Sequence, residues 1–277
     1  MPSVSFPAKL RVTILLAALA SAGHTAETPP VPGAAPGPWG FNLSLYLWTT
    51  GVFGDFSAGS FSRSVDASFL DINRKSRRFP LGFMGRFEAH YDRFGFYLDG
   101  NYMDIALKPK AANLSNGVDA EMGLMDYGLM YRVFGPTAAE MPARRGKTRP
   151  NSLEIYAGAR TFWLGSTVQI AGPGGRIQGT SSASKSFTSP VIGLRFAVEF
   201  TPEIFVLVDG NGGGFGLQDV SFTGGLLGLV GYRTQMFDIP MSVEAGYKLV
   251  RYNVDNGGTL ETNATLNGPF LGLTGYW

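Results

Sequence analysis

The sequence predicts an all-β chain, an antiparallel transmembrane β-barrel of about ten strands, with about eight or twelve as alternatives. Three observations carry this. Apolar and polar residues alternate through segment after segment, an export-type leader precedes a cysteine-free chain, and the last segment, "GPFLGLTGYW", alternates up to an aromatic end.

The leader comes first. Lys9 and Arg11 precede the apolar run "VTILLAALA", and Ala20-Ser21-Ala22 forms a small-x-small cleavage pattern. Residues 1–22 therefore read as a signal peptide cut after Ala22, with Ala26 as second choice. The run is about half of the ~20 apolar residues a membrane helix needs. Residues 23–38, including "ETPPVPGAAPGP", are too proline-rich for helix or sheet and read as an extended periplasmic tether. The folded part, 39–277, has no cysteine for disulfides or thiolate metal sites. Charged residues make up 16% of the chain against the roughly 25% usual in soluble domains. A net charge of +2 does not suggest nucleic acid as a partner.

Strands are expected at 40–50, 80–91, 94–107, 118–134, 152–170, 187–200, 203–216, 219–235, 239–254 and 259–277, with a shorter pair near 52–58 and 61–69. Tight connections at Asp92-Arg93, Thr201-Pro202 and Phe237-Asp238 alternate with longer ones at 51–79, 108–117 and 171–186. Outer-membrane barrels have short periplasmic turns and longer external loops. From a periplasmic N-terminus, all three tight turns fall on the periplasmic side. "GPTAAEMPARRGKTRP", 135–150, breaks the rule by being long on that side, while the links near Gln218 and Asn256 are short although external.

Which face is inside? In 82–100, Arg86, Glu88 and His90 alternate with Phe83, Gly85, Phe87, Ala89 and Tyr91. The same division sets Phe96 and Leu98 against Tyr97 and Asp99, Ile192 and Leu194 against Arg195, and Val243 and Tyr247 against Glu244 and Lys248. Each apolar face is about the 9–11 residues a tilted strand needs to cross a bilayer. A soluble sandwich would show the same alternation. The export leader, the lack of cysteine and the aromatic terminus favour lipid outside and charge inside. Leu271, Leu273 and Trp277 lie two or four residues apart and look like the assembly signal of Gram-negative outer-membrane barrels, read by the barrel-assembly machinery.

The inward acids are then Glu88, Asp99, Asp126, Glu154, Glu199, Asp209 and Glu244, and the bases Arg86, Arg132, Arg160, Arg195, Arg233 and Lys248. This near-balance allows a narrow polar pore or solute pocket of little ion selectivity. It equally allows a structural or partner-binding barrel sealed by salt bridges, because a ten-stranded interior is only slightly wider than one that side chains fill. A His–carboxylate pair, His90 with Glu88, can act as a general base, but it falls at the periplasmic end, so an outer-membrane hydrolase is a distant third and no catalytic residue is assigned. "GNGGGFG", 210–216, leads into a strand rather than a helix, so it marks bends or bulges instead of a phosphate loop. "NRKSRR", 73–78, puts four bases in the first external loop, where they are solvated or meet lipopolysaccharide phosphates.

The strings "SLYLWTTGVFGDFSAG", "VDASFLDI", "FMGRFEAHYDRFGFYLDG", "YAGARTFWL", "SPVIGLRF", "GGFG", "AGYKLVRYNVDNGG" and "LNGPFLGL" resemble a proteobacterial family of outer-membrane β-barrel proteins loosely labelled porin-like. The resemblance spans nearly all of 39–277. It implies an outer-membrane barrel and no catalytic residues to carry over; lipid and lipopolysaccharide are the expected surroundings, and no cofactor or metal is expected. Family members carry Trp-Val-Asp-Pro where this chain has Thr188-Ser189-Pro190, and Gly-Asp where it has Gly210-Asn211.

Overall fold

A computed structural model describes residues 37–58, 61–67, 84–107, 118–141, 146–171, 177–255 and 260–277. The expected leader, most of the tether and the basic run 73–78 lie outside the described residues. Twelve strand segments follow one another: β1 (Trp39–Trp48), β2 (Gly51–Ala58), β3 (Phe61–Ala67), β4 (Met84–Tyr91), β5 (Phe94–Leu107), β6 (Val118–Phe134), β7 (Ser152–Ala171), β8 (Ile177–Glu199), β9 (Ile204–Leu217), β10 (Val220–Met236), β11 (Ile239–Asp255) and β12 (Leu260–Tyr276).

Antiparallel pairing runs β1-β4-β5-β6-β7-β8-β9-β10-β11-β12 and closes with β12 on β1, so the wall is a ten-stranded barrel. β2 continues the line of β1 beyond a break at Thr49 and Thr50. Both pair with β12, through Trp48↔Phe270 and Gly51↔Asn267. The hairpin of β2 and β3 is thus an extension of the first strand and adds nothing to the barrel count. Closure removes the free edges that an open sheet would offer to other chains.

The two ends differ. One holds the start of β1, the end of β12 and tight turns, and we call it the turn end; the other is the loop end. Phe237 and Asp238 form a two-residue turn with φ of 52° and 61°, and Gln218 and Asp219 do the same at the loop end with 48° and 66°. This handedness suits the twist of the flanking strands. Within "GNGGGFG", Gly214, Phe215 and Gly216 all take positive φ, and the β9–β10 register shifts beside them between Val220 and Phe222. The glycines serve a bulge.

The outer surface is apolar. Leu129 is 69% exposed, Ile192 59% and Leu271 58%, with Leu45, Leu98, Ile155, Leu194, Leu226, Val230 and Val243 among their exposed neighbours. A water-soluble monomer does not present a continuous apolar surface of that kind. At the turn end Trp39, Tyr91, Phe94, Tyr131, Phe134, Phe200, Phe237 and Trp277 are exposed as well. Trp39 meets Tyr91, and Phe94 meets Tyr131, each with ring centroids 5.0 Å apart. An apolar band edged by an aromatic girdle is the exterior of a transmembrane barrel.

Candidate functional site: the ion-paired interior

The register builds the interior before any long-range contact is made. Arg132 on β6 stands opposite Glu154 on β7, Glu154 opposite Arg195 on β8, and Arg195 opposite Asp209 on β9. Charges of alternating sign therefore lie side by side across four strands, as favourable cross-strand pairs. The distances follow: Arg132 Nη2 to Glu154 Oε1 is 2.6 Å, and Arg195 Nε to Asp209 Oδ2 is 3.0 Å. A second row places Arg86 opposite Asp99, Asp99 opposite Asp126, and Asp126 opposite Arg160. Its like-charged middle pair is neutralised from both sides. Arg160 grips Asp126 with two hydrogen bonds of 2.7 Å, and Lys248 reaches Asp99 at 3.4 Å.

Contacts across the lumen join the rows. Arg195 Nη1 lies 2.6 Å from Glu88 Oε1 and 3.7 Å from Glu154 Oε2. Glu88 also receives Arg86 Nε at 2.5 Å and Asn42 Nδ2 at 3.1 Å. Tyr46 donates to Asp99 and accepts from Lys248 Nζ at 3.1 Å. Tyr156 donates to Asp209 at 2.5 Å. Arg233 holds Glu199 through two 2.6 Å bonds nearer the turn end. Such pairing is what allows ions to be buried, since taking one charge out of water unpaired costs several kcal/mol.

The structure therefore brings Arg86, Glu88, Asp99, Asp126, Arg132, Glu154, Arg160, Arg195, Glu199, Asp209, Arg233 and Lys248 into ion pairs. The two remaining inward positions behave differently. His90 is buried at the turn end, with its Nε2 3.3 Å from Glu88 Oε2. Glu244 accepts from Ser242 Oγ at 2.7 Å and has no cation within 4 Å among the described residues. Ser189 and Asn211, where the resembling family carries acids, both fall beside Arg160: Ser189 is its register partner, and Asn211 Oδ1 accepts from Arg160 Nη2 at 3.0 Å.

Two features escape a reading by alternation. The first is the long connection at the turn end. Its 3-10 turn, Ala138–Glu140, folds back under the barrel. The backbone N–H of Ala138 donates to the Asp92 carbonyl at 3.2 Å, and Arg132 donates to the Pro136 carbonyl. Arg149, from the same connection, enters the lining of the interior cavity. The second lies toward the loop end, where the inward face turns apolar. Trp48, Met84, Met103, Leu124, Phe162, Phe187, Val250, Tyr252 and Leu266 form one buried cluster. The sign of this change was in the sequence: Glu244 and Lys248 share a face of β11 with Val250, Tyr252 and Val254.

Along its axis the interior thus has a backbone cap, an ion-paired chamber and an apolar layer. The chamber encloses about 180 Å³. By contrast, a void among Leu124, Phe162, Phe187, Val220, Tyr252 and Val254 in the apolar layer holds only about 10 Å³. A single water needs about 10–15 Å³ on that measure.

No family model matches the chain, and no curated protein matches its sequence. Solved structures do. The chain is similar to the attachment invasion locus protein Ail of Yersinia pestis, solved with a heparin analogue, at 10% identity over 87% of this chain and 99% of that one, with a TM-score of 0.35. It is similar to the outer membrane protease OmpT of Escherichia coli at 8% identity over 90% and 99%, with a TM-score of 0.41. Neisserial surface protein A matches at 14% identity over 85% and 96%, with a TM-score of 0.30.

Proposed function

We propose that the chain is an integral barrel of the Gram-negative outer membrane, with its turn end in the periplasm, and that it serves as a closed structural or partner-binding barrel rather than an open pore. One observation carries the closed reading: among the described residues the void beside Phe162, Phe187 and Tyr252 in the apolar layer holds only about 10 Å³, too little for a hydrated ion. The paired charges support it, because a network whose members satisfy one another has little to offer a passing solute. The apolar exterior and the turn-end girdle support contact with outer-membrane lipid, and the outer rim would meet lipopolysaccharide.

Planar-bilayer recording tests this directly. Purified protein is expected to leave the membrane silent at moderate voltage. Repeatable single-channel openings whose selectivity changes on Arg160→Glu or Arg195→Glu would establish the narrow pore instead. Separately, heat-modifiable migration and fractionation with the outer membrane are expected; recovery as a soluble periplasmic protein would exclude the location.

A further inference from the structure

Among the described residues, seven acids and seven bases line the chamber. Six of each sign are joined in the ion pairs described above. That leaves one acid, Glu244, and one base, Arg149. Glu244 lies on β11, 8% exposed, and among the described residues its carboxylate is held by neighbouring hydroxyl groups. Arg149 comes from the turn-end connection and has no ion-pair partner among the described residues. From Glu244 a chain of hydroxyls leads to Tyr276: Ser242 Oγ lies 2.7 Å from Glu244 Oε1, and Tyr276 Oη lies 2.7 Å from Ser242 Oγ. Tyr276 also lines the chamber.

We propose that the chamber is a binding site for a small zwitterion, whose ammonium group pairs with Glu244 and whose carboxylate pairs with Arg149. The volume fits: about 180 Å³ exceeds the ~150 Å³ known to accommodate a benzene-sized guest. The chemistry fits as well. A lone cation would leave Arg149 unmatched, and a lone anion would leave Glu244 unmatched. A neutral molecule carrying both charges completes the balance without disturbing the six existing pairs. Entry is from the periplasmic side, past the connection that carries Arg149, because the apolar layer closes the other end. The proposal rests on the closed-lumen reading for this direction of entry, and on the two unmatched charges for the ligand.

The test uses the mature full chain in detergent and a graded set of probes: glycine, β-alanine, γ-aminobutyrate and 6-aminohexanoate. Acetate and methylammonium, each carrying one of the two charges, serve as controls. Calorimetric titration is expected to show saturable binding of at least one amino acid, at least tenfold tighter than either control. Arg149→Gln and Glu244→Gln are each expected to weaken it at least tenfold. Among the described residues Arg149 makes no ion pair, so its variant is expected to keep heat-modifiable migration even if Glu244→Gln does not. Equal binding of acetate and the best amino acid would overturn the proposal, as would no binding at all or unchanged affinity in Arg149→Gln. Binding in detergent is blind to conduction, so a failed site and a leaking lumen remain distinguishable.

Discussion

At the scale of single residues, Arg195 does the most joining. It bridges Glu88, Glu154 and Asp209 from three different strands. Arg195→Met would leave three buried carboxylates short of a cation, and we expect a loss of about 3–5 kcal/mol in urea unfolding in lipid vesicles. Arg251→Gln, on the exposed wall, is the control, with an expected change within about 0.5 kcal/mol. A second residue-scale prediction concerns Gly123. It stands opposite Trp163, and a Cβ there would lie 1.8 Å from the indole ring. Gly123→Ala must displace that ring, and a cost of about 1–3 kcal/mol is expected by the same measurement. The inward positions of Arg86, Glu88 and Asp99 follow from alternation, because a period of two leaves a side chain only two faces to choose from. Arg149 was not legible. It lies in a connection with no periodicity, and only the folding of that connection under the barrel carries it inward.

At the scale of elements, several strands were readable almost to the residue. The expected bounds of 94–107 and 118–134 are those of β5 and β6. β8 was not: it begins at Ile177, ten residues earlier than the pattern suggests, because "IQGTSSASKS" has no apolar face. Those residues are strand because β7 pairs with them, from Gln169↔Thr180 to Leu164↔Lys185. The seam between β12 and β1 carries its own prediction. Trp277 exchanges two backbone hydrogen bonds with Phe41, at 2.9 and 3.0 Å, at the point where the barrel closes. Removing Trp277 forfeits both, each worth about 1 kcal/mol. The expected outcome is a marked fall in folded protein in the outer-membrane fraction, beyond any produced by loop substitutions. Undiminished assembly would remove Leu271, Leu273 and Trp277 from consideration as an assembly signal.

For the whole molecule, the decisive arrangement is the order of layers along the axis. Sequence alternation predicts charges inside but says nothing of which height they occupy, since the apolar residues of the outer layer share faces with them. Once the strands are aligned, Trp48, Phe162 and Tyr252 come to one level, and Phe162 meets Tyr252 with ring centroids 4.4 Å apart. If this layer is the seal, a Phe162→Ala/Tyr252→Ala double variant should conduct where the parent is silent. Planar-bilayer recording of the two proteins side by side checks it, provided the variant still shows heat-modifiable migration.

The cross-lumen pairs also bear on how quickly the barrel comes together. Lys248 and Asp99 are 149 residues apart in sequence, and Lys248 and Tyr46 are 202 apart. Neither contact can exist until the far strands have been joined, so neither helps the chain over its barrier. Contacts absent from the transition state act on the rate of escape from the native state. Lys248→Met should therefore hasten unfolding while leaving refolding into lipid vesicles nearly unchanged, as denaturant-jump kinetics would reveal. The cross-lumen contacts of Lys248 then act as a latch on the finished barrel, slow to release and without part in its making.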